Sequence, residues 1–310
     1  MGSHTVFGHM VGLSARSVFR TAIVLIALLW PAFAPSVFAQ VELSGSWNPR
    51  NTEDVSRDSY PVDYLGLPLN AEGRTKALSY NEGQLAMVER QCEGWPAVYF
   101  VQGPFGLKIW SDTDPVKGSV ISWTIGAWED RAPIVIWMDG RPHPSKNALH
   151  TRGGFTTGRW EGDTLVTETT HMKAGFLRKN GPPMSDEATM TARFWRHGDI
   201  LTVLAVVDDP IYLAEPHIVT KSFQLATAPM LPVGPPCVTT FEGKRPGDSV
   251  PHYVPEKNPF VDELTKLYNL PLAAVVGEVE TLYPEYRKKI KATYVPREPC
   301  KTDCGAPPAR

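Results

Sequence analysis

From Pro96 to Ala228 the chain is a succession of short β-rich runs broken by Gly, Asp and Pro. They read AVYFV (97–101), GLKIW (106–110), SVISWTIG (119–126), PIVIWM (133–138), GFTTGRW (154–160), DTLVTETT (163–170), EATMTARFWR (187–196), DILTVLAVV (199–207) and HIVTKSFQLA (217–226). Gly162-Asp163 and Gly198-Asp199 join neighbouring runs as tight hairpins, and WEDRAP (128–133) reads as a slightly longer one. Nine runs at hairpin spacing predict a mainly β chain, an antiparallel meander closed into a lipocalin-like β-barrel, because closure removes the exposed edges. Periodicity does not separate a barrel from a two-sheet sandwich, but the alternation favours the barrel. Leu165, Thr167, Thr169 and His171 share one face, and Val166, Glu168 and Thr170 share the other. Two faces of mixed polarity suit a barrel around a ligand cavity better than a packed sandwich core.

Helical segments flank these runs. Residues 41–70 are rich in turn formers, and Asn70 then caps an expected helix over 71–92. Eight prolines between residues 229 and 259 mark a wrapping segment rather than a second core. Two helices are expected after it, over 259–270 and 272–294, the second interrupted by Pro284. The organisation read from the sequence is a barrel domain with an N-terminal helix over 40–228, and a tail over 229–310 packed on it.

The first 39 residues read as a signal peptide. Arg16 and Arg20 precede the apolar run TAIVLIALLWPAFAP, and Val37 and Ala39 offer the small residues required for cleavage. The run is short for a membrane span and no Arg-Arg pair precedes it, so export by the general secretory route is expected, with no stable membrane insertion after cleavage. Removing 39 of 310 residues leaves 271, with 29 Lys and Arg against 33 acids once Arg16 and Arg20 are gone. That mildly acidic balance argues against nucleic acid as a partner, and the basic run YRKKIKATY reads as a solvated helix face. Export places Cys92, Cys237, Cys300 and Cys304 in an oxidising compartment. Of the three possible pairings, Cys92–Cys237 with Cys300–Cys304 is favoured, the second closing a short turn before Gly305.

The segment from Trp160 to Tyr212 carries a pattern: Trp-Glu-Gly-Asp-Thr-Leu-Val at 160–166, then Thr169-Thr170, Ser185-Asp186, Arg193-Phe194 and Asp209-Pro210. With MDGRPHP (138–144) upstream, it resembles a large group of exported bacterial proteins. The resemblance covers roughly the central half of the chain and implies export without implying an activity. Gly45-Ser46-Trp47 is also similar to the Gly-x-Trp near the start of calycin barrels, the lipocalins and fatty-acid-binding proteins. That similarity implies a small-molecule cavity open at one end.

Chemistry-bearing residues concentrate between β-rich runs, in MDGRPHPSKNALHTRGG (138–154) and just after His171. If the loop and the strand end meet at one barrel mouth, His143 and His171 are candidate acid–base groups, with Asp139 or Asp186 fixing a tautomer and Arg141 stabilising developing charge. His150, Thr167, Thr169, Lys173, Arg178 and Asn180 are the accompanying candidates for ligand contact. Three histidines and Asp139 also admit a metal, but their spacing matches no metal signature, so no metal or cofactor is expected. Ser145 and Ser185 lie outside any nucleophile elbow, and GGFTTG lacks the lysine of a phosphate loop. Trp110, Trp123, Trp137, Trp160 and Trp195 read as barrel core or rim; one or two of them lining a cavity would favour a flat ligand. Two functions fit these residues. One is a cofactor-independent lyase, isomerase or hydrolase acting on a small carbonyl, ester or aromatic compound. The other is a carrier or sensor of a small, partly apolar ligand. The alternation of polar residues on strand faces favours the enzyme.

Overall fold

The structure, a computed structural model, describes Gly2 and residues 41–50, 62–64, 66–92, 95–103, 105–126, 133–228, 238–240 and 250–291. The chain divides into two units, Met1–Ala39 and Gln40–Arg310, and the barrel with its helices belongs to the second. The proposed cleavage site, WEDRAP and three of the four cysteines lie wholly or largely outside the described residues.

Nine strands close into a barrel. They are β1 (Gly45–Pro49), β2 (Leu107–Thr113), β3 (Val120–Gly126), β4 (Ile134–Trp137), β5 (Phe155–Glu161), β6 (Thr164–Thr170), β9 (Thr189–His197), β10 (Ile200–Asp208) and β11 (His217–Leu225), in the ring order β1-β11-β10-β9-β6-β5-β4-β3-β2. A two-residue hairpin of β7 (Gly175–Phe176) and β8 (Pro183–Met184) stands apart. Gly162 and Gly198 take positive φ, 65° and 57°, at the two-residue turns the sequence marks. Eight of the ring's joins are antiparallel and one, β4 to β5, is parallel. Parity requires this, because strands cannot alternate in direction all the way around an odd ring. A parallel join also needs a crossover rather than a hairpin. The polar stretch between Trp137 and Phe155 is that crossover.

One expected strand is a helix. AVYFV contributes not a strand but part of α2 (Tyr99–Gln102), every residue of which is buried. A short, wholly buried apolar run has no exposed face to show its period, so sequence does not separate the two. The ninth strand is β1, where Trp47 faces Leu107 on β2 and Leu225 on β11. Upstream, Asn70 caps α1 (Ala71–Leu78) by accepting from the Gly73 amide at 2.8 Å. The expected long helix ends there, and a 3₁₀ turn over Glu82–Ala86 follows, started by Asn81. The tail forms α3 (Pro259–Tyr268), α4 (Leu272–Val276) and α5 (Pro284–Lys291), with Pro284 opening the last helix rather than breaking it. It is tied to α1: the Asn258 amide donates to Leu78 O at 2.7 Å and Tyr253 N to Ser79 O at 2.9 Å.

Large side chains pack into the barrel interior. Alternate residues of β10 (Leu201, Val203, Ala205, Val207) and β11 (His217, Val219, Lys221, Phe223) are buried in register with Met190, Ala192 and Phe194 of β9. From the other side come Trp47, Leu107, Trp123, Ile125 and Ile136. Of the strand tryptophans expected at core or rim, only Trp123 is fully buried; Trp110 is exposed, and Trp137, Trp160 and Trp195 are intermediate. Helix α2 fills the remaining space, with Phe100 stacked on Phe194 at 5.8 Å. Its C-terminal turn is held by inward side chains of β11: the Gln102 amide meets His217 Nε2, and the Lys221 ammonium donates to Gly103 O. Burial pushes Lys221 down to about 8. Burial first, and then the charge of Arg178, push His217 down to about 4. No described helix is long and apolar enough to cross a membrane.

Candidate functional site

The structure brings the three histidines of the crossover and strand end together on the outside of the barrel wall. His143 sets Nδ1 2.7 Å from Thr170 Oγ1 and Nε2 2.8 Å from Thr157 Oγ1. Thr157 and Thr170 project outward, one residue out of phase with the inward Thr156 and Thr169. His171 sets Nδ1 2.7 Å from the same Thr170 hydroxyl and Nε2 2.8 Å from Ser145 O. His150 lies with its ring 5.1 Å from His171, and its Nδ1 is 3.1 Å from Met172 O. The left-handed backbone at His171, φ 56°, ends β6 and turns the ring back over the crossover. Every nitrogen of His143 and His171 therefore has a partner inside the protein, and these bonds lash the crossover to β5 and β6. Moving a proton to a substrate would first require breaking one of them.

The other sequence candidates are dispersed. Asp139 and Arg141 form a bidentate ion pair with each other at 2.6–3.0 Å, and Arg141 lies 3.6 Å over the Trp137 ring. Hydrogen bonding from Arg141 holds the Asp139 carboxyl below the usual carboxylate range. Thr167 and Thr169 are buried on the inward face, where Thr167 donates to Ala192 O at 3.4 Å and Thr169 meets Thr156 at 2.9 Å. Asp186 and Lys173 are exposed, while Arg178 is buried near His217. Asn180 donates to Asp63 O at 2.7 Å. Among the described residues no group of three or more His, Cys, Asp or Glu is placed to hold a metal ion.

Several residues of the Trp160–Pro210 pattern bond to one another. The buried Asp209 carboxylate accepts from the Ser185 amide and hydroxyl, both at 2.7 Å, and from the amides of Ile211 and Tyr212 at 3.0 and 3.3 Å. Arg193 donates to Glu161 at 2.9 Å. These contacts hold β8 against the end of β10 and β9 beside the β5–β6 turn.

Outside the barrel lies a cleft of about 310 Å³, which sequence reading missed. One side is the end of α1 with the 3₁₀ turn behind it: Lys76, Ser79, Tyr80, Gln84, Leu85 and Arg90. Opposite stand Trp95 and Pro96, which lead into α2, and the β7–β8 hairpin with Phe176 and Met184. The crossover contributes Arg152. Its backbone carbonyl accepts from Ala97 at 2.9 Å, and its Nη1 donates to Ala174 O at 2.7 Å. Three rings make the apolar corner: Tyr80 and Phe176 meet edge to face at 5.0 Å, Trp95 and Phe176 at 6.5 Å. Trp95 is stacked from behind on Tyr99 at 4.4 Å, which fixes its plane. Tyr80 lies against Gly181, whose φ of 110° and missing Cβ leave room for the ring. Its buried hydroxyl has no hydrogen-bond partner among the described residues. The sequence signals were present, in Trp95-Pro96 and in Gly175 and Gly181, but the lining comes from segments scattered between residues 76 and 212.

No family model, curated protein or solved structure matches the chain.

Proposed function

We propose that the protein is an exported binding protein for a small, partly apolar molecule, held in the cleft between α1 and the β7–β8 hairpin. The observation that supports this reading is the aromatic corner of Tyr80, Trp95 and Phe176 in a hollow of about 310 Å³. That volume falls at the small end of ligand sites, which span roughly 300–1,000 Å³ and combine apolar walls with a few polar groups. In the barrel interior, α2 and the large side chains of β1, β3, β9 and β11 are packed together. The barrel acts as a rigid frame, and the site is built on its outer surface from segments fixed by that frame. The outward histidine chain favours this reading over acid–base catalysis, since its nitrogens already have partners.

Export and disulfide bonding belong to the same proposal. A mature N-terminus at Gln40 with no free thiol under non-reducing mass spectrometry is the expected result; a start at Met1 or four free thiols refutes it. Binding is tested by incubating the mature protein with a small-molecule extract, washing, and identifying what denaturation releases. A single unaltered compound, lost in Trp95→Ala, supports the reading. Conversion of a compound that persists in Trp95→Ala but stops in His143→Ala would transfer the function to the histidine chain.

A further inference from the structure

The lining of the cleft has a charge as well as a shape. Its described residues include three cations, Lys76, Arg90 and Arg152. These cations reach it from separate parts of the chain: the last turn of α1, the turn after the 3₁₀ segment, and the crossover. A solvated helix face would explain one such residue, but it does not explain convergence from three segments on one hollow.

Arg152 is the best positioned. It enters over β7 at Gly175, where an added Cβ would stand 2.8 Å from Nη1. The glycine therefore lets the guanidinium lie flat against the hairpin backbone, where Ala174 O holds it. Burial, and after it the positive charge of Arg90, disfavour the cationic form of Arg152. In such a partly desolvated place charge-assisted hydrogen bonds to an anion are strong. The planar fork of an arginine matches the two oxygens of a carboxylate.

The apolar corner sets the other half of the ligand. Tyr80, Trp95 and Phe176 all line the hollow, and aromatic side chains receive another flat ring through their quadrupoles. The hollow is too small for a long acyl chain together with a headgroup, and Met184, Pro96 and Pro183 add apolar surface rather than depth.

We propose that the cleft binds an aromatic carboxylate, with its ring packed among Tyr80, Trp95 and Phe176 and its carboxylate on Arg152, supported by Arg90 and Lys76. This rests on the reading of the cleft as the binding site and adds the chemical class of the ligand. The carboxylate is the shared chemistry whether it sits on one ring or on two fused rings.

The test compares acids with their neutral amides on the mature, oxidised protein: benzoate against benzamide, and 2-naphthoate against 2-naphthamide, measured by calorimetry and by tryptophan fluorescence. At least one acid should bind tenfold or more tightly than its amide. Arg152→Gln should bring the acid down to the level of the amide, and Trp95→Ala should weaken both. Gly175→Ala, which displaces the guanidinium without removing it, gives an independent variant should Arg152→Gln fail to fold. Amides that bind as well as acids overturn the carboxylate class, and a preference for acids that survives both Arg152→Gln and Gly175→Ala overturns its placement on Arg152; either result leaves the cleft as a binding site. If neither acids nor amides bind, and the compound retained from extract is unaffected by Trp95→Ala, the cleft itself is the wrong site. Inorganic phosphate serves as a control: displacement of the acid by millimolar phosphate, with no contribution from the ring, also overturns the class.

Discussion

Gly175 and Arg152 occupy complementary space: the guanidinium of one lies where the side chain of the other would be, with 2.8 Å between Nη1 and an ideal Cβ. The position has no positive φ, so alanine is compatible with the backbone. The closest approach is to the far end of a flexible side chain, and Pro96 Cδ and Cγ, at 3.3 and 3.4 Å, need give by only a few tenths of an ångström. Gly175→Ala should therefore leave stability within about 1 kcal/mol of the parent, since the lost chain freedom of the unfolded state offsets the local displacement. Chemical denaturation monitored by circular dichroism checks this. A loss above about 3 kcal/mol would mean that the hairpin, and not only Arg152, depends on the glycine.

Stability should depend on pH at both ends of the range, for opposite structural reasons. His217 falls from 6.5 to about 4 on folding, so between these values the unfolded chain binds a proton that the folded one refuses. Stability is thus present above pH 6.5 and is lost as pH falls towards 4, by on the order of 2–3 kcal/mol. His217→Gln should flatten that limb. Lys221 falls from 10.5 to about 8, so its buried ammonium opposes folding below pH 8 and ceases to do so as pH rises towards 10.5. Stability should rise over that window, and the rise should be absent in Lys221→Met. Urea titrations at a series of pH values measure both limbs; identical profiles for parent and variants would refute both assignments.

His143 bridges two outward threonines of different strands, so His143→Ala removes two hydrogen bonds at a half-buried position. The expected cost is about 1–3 kcal/mol. The loss should be accompanied by faster amide exchange in the crossover and at the β4–β5 join, with the ligand preference of the cleft unchanged. Exchange that accelerates uniformly across the barrel would show that the histidine supports the whole fold rather than the crossover.

Asp209 is fully buried and its two oxygens serve four donors. Asp209→Ala should cost at least about 3 kcal/mol, because the Ser185, Ile211 and Tyr212 groups would be left buried without their acceptor. Ser185→Ala removes one donor and should cost about 1–2 kcal/mol. The pair should be non-additive, with the double variant close to Asp209→Ala alone. Simple additivity would contradict the shared network.

Much of the barrel was legible because its evidence is local. The inward phase of β6, β9, β10 and β11 follows from period-2 alternation, and the tight turns follow from glycines at positive φ. AVYFV and Gly45–Pro49 exchanged roles for one physical reason. Burial on all sides erases the period of a short helix, and a five-residue strand that starts at Gly45, φ 141°, and ends on proline hardly displays one. In the polar crossover, residue types were visible but partners were not. Nothing near His143 in sequence announces that Thr157 and Thr170 will take both its nitrogens. The cleft was hidden for a related reason, since Lys76, Trp95, Arg152 and Phe176 become neighbours only after the barrel closes.

The odd strand number has a mechanical consequence. Traced around from β5 to β4, every neighbour is antiparallel, so the barrel is a rolled sheet whose two margins meet at β4 and β5. They meet over two residue pairs, Ile136–Thr156 and Trp137–Thr157. Opening there breaks less backbone pairing than opening at any other join, and it bares two strand edges able to recruit the edges of another molecule. The histidine-lashed crossover lies across this seam, so it acts as the clasp that keeps a rolled sheet from unrolling into an intermolecular one.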